Sequence, residues 1–165
     1  MEITRHGELG RTNGDPYRIG EVFPSVSLDS GNLERVDASN LKGKYILISI
    51  VPDINTRVCS LSTKKFNQEA DKFENIGFYT ISTDPVAKQQ QWCAAEGVKK
   101  MKLLSDLNGK LGKKLGLYVE KTENDARSIW ILDKEGRVAY RELITEQSDE
   151  PDYQKALAFL KEHAD

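Results

Sequence analysis

Hydrophobic positions along the chain follow two different periods. "YILISIV" (Tyr45 to Val51) is apolar at nearly every position, the pattern of a strand buried on both faces of a parallel sheet. "GFYTIST" (Gly77 to Thr83) predicts a second strand. Between them, from Thr56 to about Asn75, the spacing becomes helical. Val58, Leu61, Phe66, Ala70 and Phe73 fall near one face, with Lys64, Lys65, Gln68 and Asp71 mostly on the other. "DPVAKQQQWCAAEG" predicts another helix, with Pro85 near its first turn and Gly97 at its end. "RSIWILD" and "RVAYRELI" flank the turn "KEG", which predicts a hairpin with Gly136 in a left-handed conformation. "EPDYQKALAFLKEH" closes the pattern as a helix opened by Pro151, its apolar stripe being Tyr153, Ala156, Leu157 and Leu160. Upstream, "EITRHGELGRTNGD" alternates in character and ends in an Asn-Gly turn signal, so a short hairpin is expected. The turn-rich stretch from Ile19 to Lys44 predicts short strands and loops.

The resulting order, strand–helix–strand–helix–strand–strand–helix, is a βαβ unit followed by a ββα unit. That is an α/β, thioredoxin-like arrangement: a mixed central sheet flanked by helices, here with an N-terminal β-hairpin extension over residues 1–15. The fold by itself leaves function open. At 165 residues the chain fits a single domain, 1–165, able to bury a substantial core. A net charge of −2 with interleaved acids and bases argues against nucleic acid or an anionic membrane as the main partner. The first fifteen residues hold no apolar core of signal-peptide length, and no later run approaches transmembrane length, so a cytoplasmic address is expected. His6 and His163 lie near opposite ends, and neither cysteine has metal-ligand spacing to another ligand. No zinc site or other cofactor is expected. "DLNGKLGKKLG" lacks the strand and the Gly-Lys-Ser/Thr context of a phosphate loop and predicts a loop and short helix instead.

Two cysteines do not make a disulfide scaffold, and no Cys-x-x-Cys is present. Cys59, however, stands where a strand ends and a helix begins. Thr56 has the character of an N-cap, which puts Cys59 at the third helical position, where unpaired N–H groups and the helix dipole stabilise an anionic sulfur. Arg57 adds positive charge beside it. Pro52 lacks an N–H, ends the strand and can wall the site from water. The competing reading makes Cys59 one more buried residue of the helix's inner face, and spacing alone leaves the two evenly matched. Cys93, next to Trp92, is on spacing alone better read as a packed helix cysteine.

The motif Pro52–x3–Thr56–x2–Cys59 resembles that of the peroxiredoxins. "TRVCSLSTKKFNQEA", "ISTDPVAKQQQWC" and "ARSIWILDKEGRVAYRELITEQSDEPDYQKAL" are similar to stretches of the bacterial thiol peroxidase subfamily, the atypical two-cysteine peroxiredoxins. The resemblance runs over nearly the whole chain. It departs at Asp53 and Asn55, where the subfamily usually carries serine and aspartate. It implies that Cys59 is the peroxidatic nucleophile, Cys93 the resolving cysteine of an intramolecular disulfide, and Arg127 the guanidinium brought to thiolate and peroxide. Thr56 would offer its hydroxyl and Pro52 would act as a shield. Hydroperoxides as substrate, thioredoxin as reductant and a homodimer follow from the same resemblance. A redox sensor that passes oxidation to a partner, or a thioredoxin-fold protein with inert cysteines, are the alternatives.

Overall fold

The computed structural model describes residues 1–30, 35–37, 44–70, 72–73, 75–98 and 101–163. Its centre is β5 (Ile46–Val51), buried at every position. Ile46, Ile48 and Ile50 project into one half of the core and Leu47 and Val51 into the other. The two-residue period of a strand therefore divides a continuous apolar run between two cores. β5 pairs in parallel with β6 (Gly77–Ser82), and β6 with β7 (Lys102–Ser105). On the other side β5 pairs antiparallel with β10 (Ser128–Leu132), which forms a hairpin with β11 (Val138–Leu143). Two strands from the turn-rich stretch complete the sheet: β3 (Ser27–Ser30) pairs antiparallel with β7, and β4 (Arg35–Asp37) pairs antiparallel with β3. The seven-stranded order is β11-β10-β5-β6-β7-β3-β4. This is the expected thioredoxin-like mixed sheet.

Helices α1 (Arg57–Ala70) and α4 (Tyr153–His163) cover one face through Phe66, Ala156, Leu157 and Leu160, joined there by Trp92 of α2 (Val86–Glu96). Helix α3 (Lys110–Leu115) covers the other through Leu111 and Leu115. Gly97 ends α2 at φ 70°, its N–H bonded to the Cys93 carbonyl at 2.9 Å. Gly136 turns the β10–β11 hairpin at φ 81°. Both are the left-handed positions that glycine fills without strain.

Three features differ from the sequence pattern. The inner face of α1 is Cys59, Ser62, Thr63 and Phe66, while Leu61 is exposed. The hydroxyls of Ser62 and Thr63 bond back to the carbonyls of Val58 and Cys59, at 2.8 and 2.9 Å, so small polar residues can face the core with their hydrogen bonds satisfied. The helix also ends at Ala70, short of Asn75; Asp71 lies outside the described residues. Next, the N-terminal hairpin, β1 (Glu2–Arg5) with β2 (Glu8–Arg11), turns at His6–Gly7, both at positive φ. Asn13 instead bonds to Lys113 and Tyr118. Finally, β7 and the two-residue pair β8 (Tyr118–Val119) and β9 (Asn124–Asp125) were not legible as strands.

Candidate active site

The chain leaves β5 at Val51 and turns at once. Pro52 is buried, and the Asp53 carbonyl accepts both the N–H of Thr56 (3.1 Å) and its hydroxyl (2.9 Å). The Asp53 carboxylate accepts the N–H of Asn55 at 2.9 Å, closing an Asx turn. The Thr56 oxygen then receives the Cys59 N–H at 3.4 Å, and the Thr56 carbonyl receives the Ser60 N–H at 2.9 Å. Thr56 is thus the N-cap, and Cys59 lies in the first turn of α1. The threonine's own hydrogen points to Asp53.

Cys59 is fully buried, and its sulfur receives one hydrogen bond: Nη1 of Arg127 donates to Sγ at 3.1 Å. The contact follows from strand pairing. Ser128 of β10 stands opposite Ile50 of β5, so the residue before it falls beside the end of β5, where the Cys59 turn begins. Arg127 is itself buried and held at three points. Its Nε donates to the Gln147 carbonyl (2.8 Å), its backbone N–H to Gln147 Oε1 (2.7 Å), and its carbonyl accepts the Ile144 N–H (3.3 Å). Gln147 returns an amide hydrogen to the Ile144 carbonyl at 2.7 Å. A guanidinium fixed this way cannot follow the sulfur, so its direction is set before any reaction.

A cavity of about 290 Å³ opens beside the pair. Pro52, Thr56, Arg127 and Gln147 line it, together with Arg5, His6, Asp53 and Arg57. The β1–β2 hairpin that carries Arg5 and His6 is held there by Glu146. That carboxylate accepts from the Thr4 and Ser148 hydroxyls and from the N–H groups of His6, Gly7 and Ser148. These donors, the Ser148 hydroxyl foremost, keep it well below the usual carboxylate range. On the α4 side the Tyr153 hydroxyl bonds to Ser62 Oγ and donates to Glu150, while burial pushes its phenol up to about 12.

Cys93 is half-buried on α2 and packs against the cluster that contains Cys59, but both remain free thiols. Burial pushes the Cys93 thiol up. Of the five residues singled out in the sequence, four converge on one place: Pro52, Thr56, Cys59 and Arg127. Cys93 stands apart on a neighbouring helix. Sequence reasoning missed Gln147, which nothing in "ELITEQSD" marks. It also missed Asp84, whose carboxylate accepts the Ile54 N–H at 2.8 Å and so fastens the turn; an aspartate between a strand and a proline-led helix was the available signal.

A strand-end thiol in a helix's first turn, faced by an immobilised guanidinium on a thioredoxin-like sheet, defines a thiol-redox protein. The chain belongs to the AhpC/TSA family, which residues 19–141 match. It is 35% identical over 161 residues to the thiol peroxidase of Bacillus subtilis (strain 168), covering 97% of this chain and 96% of that one. It is 37% identical over 161 residues to the thiol peroxidase of Staphylococcus aureus (strain MRSA252), covering 97% and 98%. Among solved structures, a peroxiredoxin-like protein from Aquifex aeolicus superposes with a TM-score of 0.91 at 26% identity, covering 98% of this chain and 96% of that chain. The thiol peroxidase from Chromobacterium violaceum, at 18% identity, shares the fold with a TM-score of 0.87 over 98% and 96%.

Proposed function

We propose that the chain is a thiol peroxidase that reduces hydroperoxides through Cys59. The Cys59 sulfur attacks the terminal peroxide oxygen. An S–O bond forms, the weak O–O bond breaks, and the departing oxygen takes up a proton to leave as water or an alcohol. Negative charge spreads over sulfur and both oxygens as this happens. Arg127 is placed to stabilise it, and Thr56 supplies a second donor by turning its hydrogen from the Asp53 carbonyl to the peroxide. Pro52 covers the turn. Cys93 then attacks the Cys59 sulfenic acid, giving a Cys59–Cys93 disulfide and water. A dithiol partner, thioredoxin by resemblance, restores both thiols by exchange. Both cysteines are seated on helices, and a disulfide needs Cα atoms within about 7 Å, so a helical segment must open during the cycle. The same resemblance extends the proposal to a homodimer, and the expectation of a cytoplasmic address stands beside it.

The observation that carries this reading is the 3.1 Å donation from Arg127 to the sulfur in the first turn of α1. The test is peroxide consumption with a thioredoxin system, joined to non-reducing mass mapping after one equivalent of hydroperoxide. The parent is expected to turn over and to show a 59–93 bridge, and Cys59→Ser to consume nothing. A Cys59→Ser variant working at the parent rate overturns the assignment.

A further inference from the structure

The two cysteines sit on segments that are tied together by charge. Lys88, in the first turn of α2, places its ammonium 2.8 Å from Asp84 Oδ1 and 3.1 Å from Asp53 Oδ1. Asp53 belongs to the turn that leads into Cys59, and it is one of the positions where the chain departs from the subfamily pattern. Asp84 is buried, and its other oxygen accepts the Ile54 N–H in that same turn. One lysine therefore joins the start of the Cys93 helix to the Cys59 turn through two carboxylates. At the far end of α2, Glu96 pairs with Lys64 of α1 at 2.6 Å, both side chains partly exposed. Cys93 lies between the two ties. An opening of α2 that shifts either end of the helix loosens one of them.

We propose that Lys88 is a positioning residue that, by bridging Asp53 and Asp84, latches α2 to the Cys59 turn and so sets the rate of disulfide closure. The inference rests on the Cys59–Cys93 reading above. The step it governs is attack of the Cys93 sulfur on the Cys59 sulfenic acid: an S–S bond forms, the S–O bond breaks, and the hydroxyl leaves as water with the Cys93 proton. With the latch shut the helix remains wound and the sulfenic acid waits. With it released the closing geometry is sampled more often. Lys88 and Asp53 are both partly exposed, so salt screens their attraction, and the latch weakens as ionic strength rises.

Single-turnover oxidation followed by the fluorescence of Trp92, the neighbour of Cys93, separates the two steps. Sulfenic acid formation scales with peroxide concentration and closure does not. Lys88→Met is expected to raise the peroxide-independent rate about fivefold, the size expected for a partly exposed ion pair, with little change in the peroxide-dependent constant. Lys88→Arg, which keeps the charge, should retain the parent rate. Added salt should accelerate closure in the parent and leave Lys88→Met unaffected. Mass mapping of the parent distinguishes the two levels of the claim. A 59–93 bridge that forms at the same rate in parent and Lys88→Met, at low and high salt alike, overturns the latch alone. Peroxide consumption by a parent that forms no such bridge overturns both the latch and the reading beneath it.

Discussion

Replacing Gln147 by alanine tests the claim that Arg127 works because it is held still. The side chain makes two buried hydrogen bonds of 2.7 Å, accepting from the Arg127 N–H and donating to the Ile144 carbonyl. Truncation leaves both backbone groups without partners. Each orphaned group costs about 1–3 kcal/mol, so the loss is roughly 2–6 kcal/mol before water enters the vacated space and about 2–4 kcal/mol after. In a chain of this length that lowers the melting temperature by roughly 5–15 °C. The Gln147 carbonyl still accepts from Nε, so the guanidinium remains nearby but loses its backbone anchor. A drift of about 1 Å at a reacting centre costs on the order of 100-fold in rate. Thermal melting gives the first quantity. Stopped-flow oxidation by hydroperoxide, run well below the variant's melting temperature, gives the second. A Gln147→Ala variant that melts with the parent and reacts at the parent rate would refute the argument that this glutamine aims the arginine.

Two further outcomes follow from buried titratable groups. Burial raises the Cys93 thiol above its ordinary value, so in the proposed cycle the thiolate that would attack the sulfenic acid is scarce at neutral pH. The peroxide-independent closing rate should climb nearly tenfold per pH unit through about 8.5, where an ordinary thiol would be levelling off; a plateau below that contradicts it. Asp125 is buried with neither oxygen receiving a hydrogen bond, and its carboxyl is pushed well up by desolvation first and by the neighbouring Asp106 second. Asp106 already accepts the Leu111 and Gly112 N–H groups, so a protonated Asp125 is the donor that suits it. The folded chain therefore holds this proton to higher pH than the unfolded chain, and stability falls as pH rises above about 4 until Asp125 ionises. Asp125→Asn stays neutral and should remove that slope and raise the neutral-pH melting temperature; an unchanged slope, measured by melting across pH, would show that Asp125 is not its source.

How far the molecule could be read in advance depended on whether the signal was local. The apolar run of β5 and the Thr56 cap announce a strand meeting a helix, and both appear where expected because neighbouring residues alone determine them. The inner face of α1 was misjudged because Ser62 and Thr63 count as polar by type, yet they satisfy themselves within the helix. Strand β7 is four residues long and begins with a lysine, so only its partners β6 and β3 define it. Arg127 could be assigned only by resemblance, since its meeting with Cys59 depends on the β5–β10 register. Gln147 and the Lys88–Asp53 tie depend on contacts between distant segments and left no periodic trace.

The carboxylate of Glu146 gathers Thr4, His6 and Gly7 to the same short segment whose next residue anchors Arg127. One wall of the reaction chamber is therefore borrowed from the opposite end of the polypeptide. Anyone grafting residues 1–15 from a relative to reshape the entrance would have to transplant residues 144–148 along with them, because the two pieces behave as one inherited part.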